Sequence, residues 1–286
     1  MKIAYVVGND NPTDPDPDLD IPFATEAAAQ LDIDLVFANW NDKSIAWESF
    51  DAAVIRSTWD YVPVRDEFLQ FAKTVETKTR LFNSYDVMRW NTDKKYLSVL
   101  EAKGVPIIPT KFASTIDEAL PAISWAFEKA DAIAIKPTVG AGARLAGKAT
   151  TKDEGIEFVK KIHEANRTAI IQPYISSVDD EGEKAIIVIN GEISHVAKKV
   201  PALTKGGHGD AAGQLEITND VREIVKNISN AVSEWNDLLF ARVDVVRMDD
   251  KLVLMELELT EPWLLCNLDQ QQEWIYLRRL SNVLLE

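Results

Sequence analysis

The chain has 286 residues, of which 46% are hydrophobic and 27% charged, and its 46 acidic and 31 basic residues give a formal net charge of -15. This composition and length predict a folded protein with one large domain or two to three lobes, and they exclude disordered, collagen-like and small disulfide-bonded proteins. The acidic charge also argues against non-specific binding to nucleic acid or to anionic membranes, because such proteins place positive charge against phosphates.

The single cysteine, Cys266, cannot form a disulfide within the chain. We therefore expect a reducing, cytoplasmic location. The first ten residues contain a short apolar run without a signal-type cleavage site, and no run of eighteen apolar residues occurs. Neither a secretion signal nor a membrane span is predicted.

The first ninety residues alternate strand and helix patterns, which is typical of a small α/β domain with a parallel sheet. The predicted elements are a strand at 2–8, a helix at 22–31, and strands at 32–38 and 51–58. The Pro- and Asp-rich segment 10–20 is predicted to be a solvated loop, because its prolines exclude both a helix and a central strand.

A second unit begins with a predicted helix that Asn91 or Thr92 can cap and that ends near Gly104. Thr151 and Glu154 have the spacing of a capping box and predict the start of another helix. The other elements predicted here are a proline-bracketed strand at 105–109, a helix at 118–130, and strands at 132–137, 147–150 and 169–175.

The last third contains two predicted hairpins. The first joins 184–190 to 192–200 around Asn190-Gly191, a pair typical of a type I′ turn. An amphipathic helix at 221–235 follows, and a second hairpin turns at Asp249 and Asp250. A final helix is predicted at 271–286.

The second hairpin carries alternating charges. Strand alternation puts Arg242 and Asp244 on one face, and Glu256 and Glu258 on one face of the next strand. A three-residue loop would place Asp244 opposite Glu256, whereas a two-residue loop would place it on the other face. Hard oxygen ligands of this kind suit Mg²⁺ beside phosphates. The alternative is a solvated strand face, but the neighbouring residues are too apolar for a fully wet hairpin.

A glycine-rich segment follows the strand at 132–137. Gly142 and Gly147-Lys148 have the spacing of a P-loop, but the next residue is Ala149 and the predicted helix starts only after Thr150. We instead predict a loop between antiparallel strands, with Lys136 at the strand end and the amides of 140–143 folding over phosphates. A plain surface hairpin is the alternative.

The ordered set of IKP with a glycine-rich loop, IIQPYI, EGE, Lys-Lys-x-Pro, RVD and ELELTEP resembles the ATP-grasp superfamily, particularly its glutathione synthetase-like and RimK-like ligases. The segments RSTWDY and WNTDKKYL are similar to a small subgroup that includes the cyclo-ligase of cycloserine biosynthesis. The resemblance implies an α/β chain with a parallel-sheet pre-ATP-grasp domain. The implied units are residues 1–90, a small ATP-grasp lobe at 91–172 and a large C-terminal lobe at 173–286.

The resemblance also implies ATP as ligand and Mg²⁺ as metal, with two ions expected and Mn²⁺ as an alternative. Its implied nucleotide contacts are Lys94, Lys136, Gly140, Ala141, the hinge Gln172, Pro173, Tyr174 and Ile175, and Glu183 on the ribose. Lys199 matches a basic position of the family, with Lys198 as its rival, and Arg242 matches an arginine that steadies an acyl phosphate. Asp244, Glu256 and Glu258 match the metal ligands, although the family commonly has Asn at the last position.

The implied activity is an ATP-dependent carboxylate–amine ligase that acts through an acyl phosphate on a small amino-acid-like or peptide substrate, between two molecules or within one. We expect Arg56, Trp59 and Arg144 to contact substrate, with a packed turn as the alternative for the first two. Segments 138–143 and 204–213 are expected to close as flaps. A non-catalytic, synapsin-like ATP-binding module is the alternative function. Small-molecule partners are expected, and a homodimer is compatible with the sequence.

Overall fold

The computed structural model describes residues 1–9, 18–200, 203 and 211–268. The final helix predicted at 271–286, most of the predicted loop 10–20 and most of the predicted flap 204–213 lie outside the described residues. The described chain forms one parallel and two antiparallel sheets. Among its helices, none is long and apolar enough to cross a membrane.

The N-terminal sheet is parallel, with strand order β2-β1-β3-β4, and confirms the predicted α/β domain. Its strands are β1 Lys2–Val7, β2 Asp34–Asn39, β3 Ala52–Ser57 and β4 Arg80–Phe82, and its helices are α1 Ile21–Gln30 and α2 Arg65–Glu76. Side chains of β1 alternate between two cores, with Ile3 and Tyr5 on one face and Ala4 and Val6 on the other. A short 3-10 segment, Trp59–Val64, leaves β3 at its carboxyl end.

Two short helices follow, α3 Tyr85–Asn91 and α4 Tyr96–Ala102. The prediction of one helix capped by Asn91 or Thr92 was wrong, because Asn91 ends α3 and its side chain instead donates to the Leu257 carbonyl at 2.8 Å. The strand predicted at 105–109 is reduced to one bridge, between Ile107 and Leu254. Its flanking prolines lack the N–H groups that a longer ladder requires.

The small antiparallel sheet has strand order β5-β8-β6-β7. Its elements are β5 Lys111–Ala113, α5 Ile116–Phe127, β6 Ile133–Pro137, β7 Gly147–Ala149, α6 Lys152–Glu164 and β8 Ala169–Pro173. The capping box of Thr151 and Glu154 is present at the start of α6. Gly147 and Lys148 lie in a strand, so they are not at the helix start that a P-loop requires.

The large antiparallel sheet has strand order β11-β10-β9-β12-β13. Its elements are α7 Ser177–Glu181, β9 Glu183–Ile189, β10 Glu192–Lys199, β11 Ala211–Leu215, α8 Asn219–Ala231, β12 Phe240–Met248 and β13 Lys251–Glu258. Asn190 and Gly191 have φ values of 49° and 79°, as a type I′ turn requires. The predicted apolar stripe of α8 is buried in the core of this sheet, although the helix ends at Ala231, before the predicted end at 235.

A bulge decides which carboxylates face one another on β12 and β13. The turn has two residues, Asp249 and Asp250, because Met248 pairs with Lys251. A regular ladder from that turn would put Asp244 on the wrong face. However, Val245 pairs with Leu254 while Asp244 pairs with Glu256, so one extra residue, Met255, bulges from β13. The predicted pairing of Asp244 with Glu256 therefore occurs, but a two-residue turn and a bulge produce it and not a three-residue loop.

The packing of α4 bears on the predicted lobe boundaries. Tyr96, Leu97 and Leu100 share a core with strands of the large sheet, and Ile107 joins the same core. Residues before the first strand of the small sheet thus support the large one. We propose that the small lobe begins after Ile108, while 1–90 and the segment from 173 remain the proposed outer units.

Candidate active site

A cavity of about 750 Å³ lies where the three sheets meet. The carboxyl ends of β1 and β3 form one wall, which is the edge at which open parallel sheets bind ligands. Strands β6, β10, β12 and β13 and the loop between β6 and β7 form the other walls. The two antiparallel sheets contribute most of the charged side chains, and the parallel sheet contributes aromatic rings and carboxylates.

Asp244 lies at the centre of a buried charge cluster. Arg242 donates to both of its oxygens, from Nε at 3.0 Å and from Nη2 at 3.1 Å, and also to Glu258. Lys199 Nζ lies 2.8 Å from Asp244 Oδ2 and 3.4 Å from Glu183. Burial opposes ionisation of Asp244, but the Arg242 and Lys199 charges outweigh it and hold the pKa of Asp244 below its usual range.

Glu256 lies between two lysines on the opposite strand of the hairpin. Lys94 Nζ is 2.8 Å from its Oε1, and Lys136 Nζ is 3.7 Å from its Oε2. Lys94 also donates to the Gly140 carbonyl at 2.7 Å, which ties the glycine-rich loop to this pair. Burial raises the pKa of Glu256, but the two lysine charges outweigh it, so the pKa of Glu256 lies below its ordinary value. Burial, with the neighbouring charge of Lys94, lowers the pKa of Lys136.

The three predicted metal ligands do not form a ready-made metal site. In the described part of the chain, no group of three or more His, Cys, Asp or Glu side chains is arranged to hold a metal ion. Asp244, Glu256 and Glu258 converge on one cavity, but each is engaged by a lysine or arginine. The charges alternate in sign along the cavity wall, so cations and carboxylates neutralise one another there.

The opposite end of the cavity is aromatic and acidic. The Trp59 indole donates to the Glu261 carbonyl at 3.0 Å, and its ring meets the Trp263 ring edge-on at 5.5 Å. The Glu261 carboxyl is hydrogen-bonded to Tyr61. Burial, with the nearby charge of Glu258, raises the pKa of Glu261 to about 7. The Trp263 indole N–H is buried without a hydrogen-bond partner in the described chain.

Most of the predicted site residues lie on the cavity wall. These are Trp59, Lys94, Lys136, Gly140, Ala141, Arg144, Glu183, Lys199, Arg242, Asp244, Glu256 and Glu258. Strand alternation separates the two rival lysines of β10, since Lys199 is buried in the cavity whereas Lys198 packs near Gly182 outside its wall. The structure therefore favours Lys199.

Arg56 occupies a different place from the predicted substrate contact. Its side chain is 2% exposed, lies outside the cavity wall, and pairs with Asp20 at 3.0 Å. It also donates to the Pro262 carbonyl at 2.8 Å and stacks at 4.9 Å from the Phe240 ring. These partners make Arg56 a buried link between the parallel sheet and the segment after β13, which is the packed alternative.

The predicted hinge, Gln172 to Ile175, also lies outside the cavity wall. The Gln172 side chain donates to Thr110 at 2.8 Å, and the Tyr174 hydroxyl donates to Asp179 at 2.6 Å. Lys148 lies 3.7 Å above the Tyr174 ring and pairs with Asp179. The hinge therefore joins the small sheet to α7, and its role toward a nucleotide stays a prediction.

The predicted site residues do not include Asp60 and Glu261, which are among the acidic residues of the wall. Glu261 does not continue the every-second-residue spacing of Glu256 and Glu258, so strand alternation does not predict that it lies in the site. Asp60 accepts hydrogen bonds from the Asn9 amide and from the Trp40 indole, contacts that a sequence does not reveal. Their sequence positions could have indicated the site, because Asp60 lies beside Trp59 after β3 and Glu261 lies beside Trp263 after β13.

Family comparison matches two segments of the chain. Residues 3–83 match the N-terminal domain of D-cycloserine synthetase DcsG, and residues 106–273 match the ATP-grasp domain of prokaryotic glutathione synthetase. The cycloserine biosynthesis protein DcsG of Streptomyces lavendulae is 30% identical over 86% of this chain and 87% of its own length.

Solved structures agree with these matches. The crystal structure of D-cycloserine synthetase DcsG has a TM-score of 0.88 and 28% identity, covering 99% of this chain and 100% of the other. The ATP complex of D-alanine–D-alanine ligase from Bacillus anthracis has a TM-score of 0.73 over 100% of this chain and 97% of the other, at 16% identity, which shows a shared fold. The chain therefore belongs to the ATP-grasp ligases, with the ATP-grasp domain of the prokaryotic glutathione synthetase family.

Proposed function

We propose that this chain joins a carboxylate to an amine through an acyl phosphate, with release of ADP and phosphate. The observation that carries the proposal is the alternation of buried lysines, arginine and carboxylates along one cavity wall. A carboxylate is a poor electrophile and repels a triphosphate, so a catalyst must neutralise both in one place. Lys94, Lys136, Lys199 and Arg242 provide the positive charge for this purpose.

The donor set fits the ligands that this family uses, ATP with Mg²⁺. Mg²⁺ is usually held by one or two carboxylates together with substrate phosphates, and it does not need a complete protein cage. Asp244, Glu256 and Glu258 would hold the metal once the phosphates and the substrate carboxylate draw the lysines and Arg242 away from them. Two ions are expected from the resemblance to ATP-grasp ligases, with Mn²⁺ as an alternative. When bound, ATP and metal supply the phosphoryl group and its charge neutralisation.

The chain's own residues then have separable tasks. Lys94 and Lys136 hold phosphate oxygens, because both reach the cavity beside the glycine-rich loop. Arg242 and Lys199 lie on either side of Asp244 and are placed to hold the substrate carboxylate and its phosphorylated form. The flap expected at 138–143 contributes Gly140 to Ala143 to the cavity wall, and its closure with Arg144 would exclude water, which would hydrolyse an acyl phosphate.

The similarity to DcsG supports a small amino-acid-like substrate. D-Cycloserine is a ring compound, so closure within one molecule and joining of two molecules are both compatible with the proposal. The mass of the product distinguishes these two outcomes.

The test is a metal-dependent ADP-release screen across D- and L-amino acids, singly and in pairs, with Asp244→Asn as the control variant. Wild-type protein should release ADP only with particular substrates, and Asp244→Asn should not. Equal ADP release by both proteins under every condition would contradict the site assignment. ATP binding without substrate-stimulated release would instead support a non-catalytic, synapsin-like module.

A further inference from the structure

The two ends of the cavity differ in how their carboxylates are neutralised. Each of the three carboxylates that the β12–β13 hairpin contributes to the cavity has a lysine or arginine partner. At the aromatic end, Asp18 accepts from the Tyr5 hydroxyl at 2.8 Å, and Asp60 accepts from the Trp40 indole at 2.8 Å. Glu261 is hydrogen-bonded to Tyr61. Within the described chain, these three carboxylates have only neutral hydrogen-bond donors and no ion pair.

Glu261 is the member of this group on which the charges of the β12–β13 hairpin act. Its own carbonyl accepts from the Trp59 indole, and its carboxyl contacts Tyr61, so backbone and side chain are both fixed. It also lies close enough to Glu258 for that charge to act on it. The Lys94 charge offsets the Glu258 charge on this carboxyl only in part, so a ligand that supplies a further positive charge would be favoured beside Glu261.

The aromatic rings indicate which kind of cation this is. Trp59 and Trp263 line the cavity beside Glu261 and offer ring faces and edges rather than oxygen ligands for a metal. Indole faces attract organic cations such as an ammonium group. The buried Trp263 N–H has no acceptor among the described residues, so this end also has a free donor for a polar atom of the same ligand.

We propose that Glu261, with Trp59 and Trp263, is the specificity-determining contact for an ammonium group on the substrate, so that the aromatic end of the cavity selects amino compounds. This rests on the proposed ligase function, since it assigns the substrate end of that same cavity. The ammonium donates to the Glu261 carboxylate and lies against the indole rings. The carboxylates of the nucleotide end already pair with lysine or arginine, so they do not need this ammonium group as a partner.

The experiment measures binding of matched pairs that differ only in the ammonium group, by calorimetry with ADP and Mg²⁺ present. The pairs are D-serine and L-serine against 3-hydroxypropionate, and D-cycloserine against isoxazolidin-3-one. The proteins are wild type, Glu261→Gln and Asp18→Asn, the last as a matched loss of one cavity carboxylate. ADP binding is measured alongside in all three.

For wild type, at least one ammonium compound should bind at least tenfold more tightly than its partner, and Glu261→Gln should lose this preference while ADP affinity changes less than about twofold. Asp18→Asn should keep it. The inference is overturned if no pair shows a preference, if the preference survives in Glu261→Gln, or if Asp18→Asn alone removes it. Absence of ADP binding in wild type would instead contradict the proposed function.

Discussion

Replacing Glu261 by glutamine should stabilise the ligand-free protein at alkaline pH. Burial and the Glu258 charge raise the pKa of the Glu261 carboxyl from 4.5 to about 7 in the folded protein. The folded chain therefore binds more protons than the unfolded chain between these two values, and stability falls as pH rises through that window. Tyr61 and Lys94 favour the ionised form of this carboxyl and Glu256 disfavours it, but burial and the Glu258 charge keep its pKa raised.

The magnitude follows from the pKa difference. Ionising a carboxyl whose pKa has risen from 4.5 to about 7 costs the folded state up to about 3 kcal/mol, and partial exposure reduces this to about 1–3 kcal/mol. Glutamine keeps the shape and the hydrogen bond to Tyr61 but cannot ionise. The variant should therefore gain about 1–3 kcal/mol over wild type at pH 8.5 and little at pH 4.5.

The assay is urea unfolding of both proteins at pH 4.5 and pH 8.5, with EDTA and without nucleotide. Glu164→Gln, an exposed change at the end of α6, is the control and should alter the free energy of unfolding by less than about 0.5 kcal/mol at either pH. Equal effects of Glu261→Gln at the two pH values would refute the reasoning, because a neutral packing effect does not depend on pH.

Three further predictions test other parts of the structure. Lys199→Met should lower substrate-dependent ADP release at least about a hundredfold, whereas Lys198→Met, outside the cavity, should change it less than about threefold. Similar losses in the two variants would contradict the assignment of Lys199 to the active site. Gly147→Ala should lower the free energy of unfolding by about 1–3 kcal/mol in urea, because a Cβ there would lie 2.1 Å from the Phe158 ring. Adding Phe158→Leu should recover part of this loss. Additive effects of the two substitutions would contradict the contact. Thr151→Ala should cost about 1 kcal/mol by the same measurement, since it removes the capping box of α6, and an unchanged midpoint would show that the cap contributes nothing.

Local sequence signals predicted those parts of the fold that depend on neighbouring residues. The capping box at Thr151 and the type I′ turn at Asn190 occur where predicted, because short-range hydrogen bonds and backbone preferences determine them. The prediction at Asn91 failed because its amide makes long-range hydrogen bonds to β13 and its neighbourhood, which outweigh a local capping preference.

The site shows the same division. The carboxylates of the hairpin could be predicted as a group from alternation, but the bulge at Met255 that brings Asp244 opposite Glu256 could not. Arg56 follows a strand in the manner of a ligand-binding residue, yet Asp20 and Pro262, distant in sequence, hold it in the core. Glu261 could be identified as a site residue only from the fold, which brings it into contact with Tyr61 and Trp59.

The most direct test of acyl-phosphate formation measures whether an oxygen atom of the substrate carboxylate is transferred to the released phosphate. The substrates of the ADP-release screen are prepared with ¹⁸O in their carboxyl groups, and the released phosphate is analysed by mass spectrometry. An acyl phosphate passes one carboxylate oxygen to phosphate when the amine displaces it, so one ¹⁸O per released phosphate is predicted. ADP release with unlabelled phosphate, or release of AMP and pyrophosphate, would contradict the account.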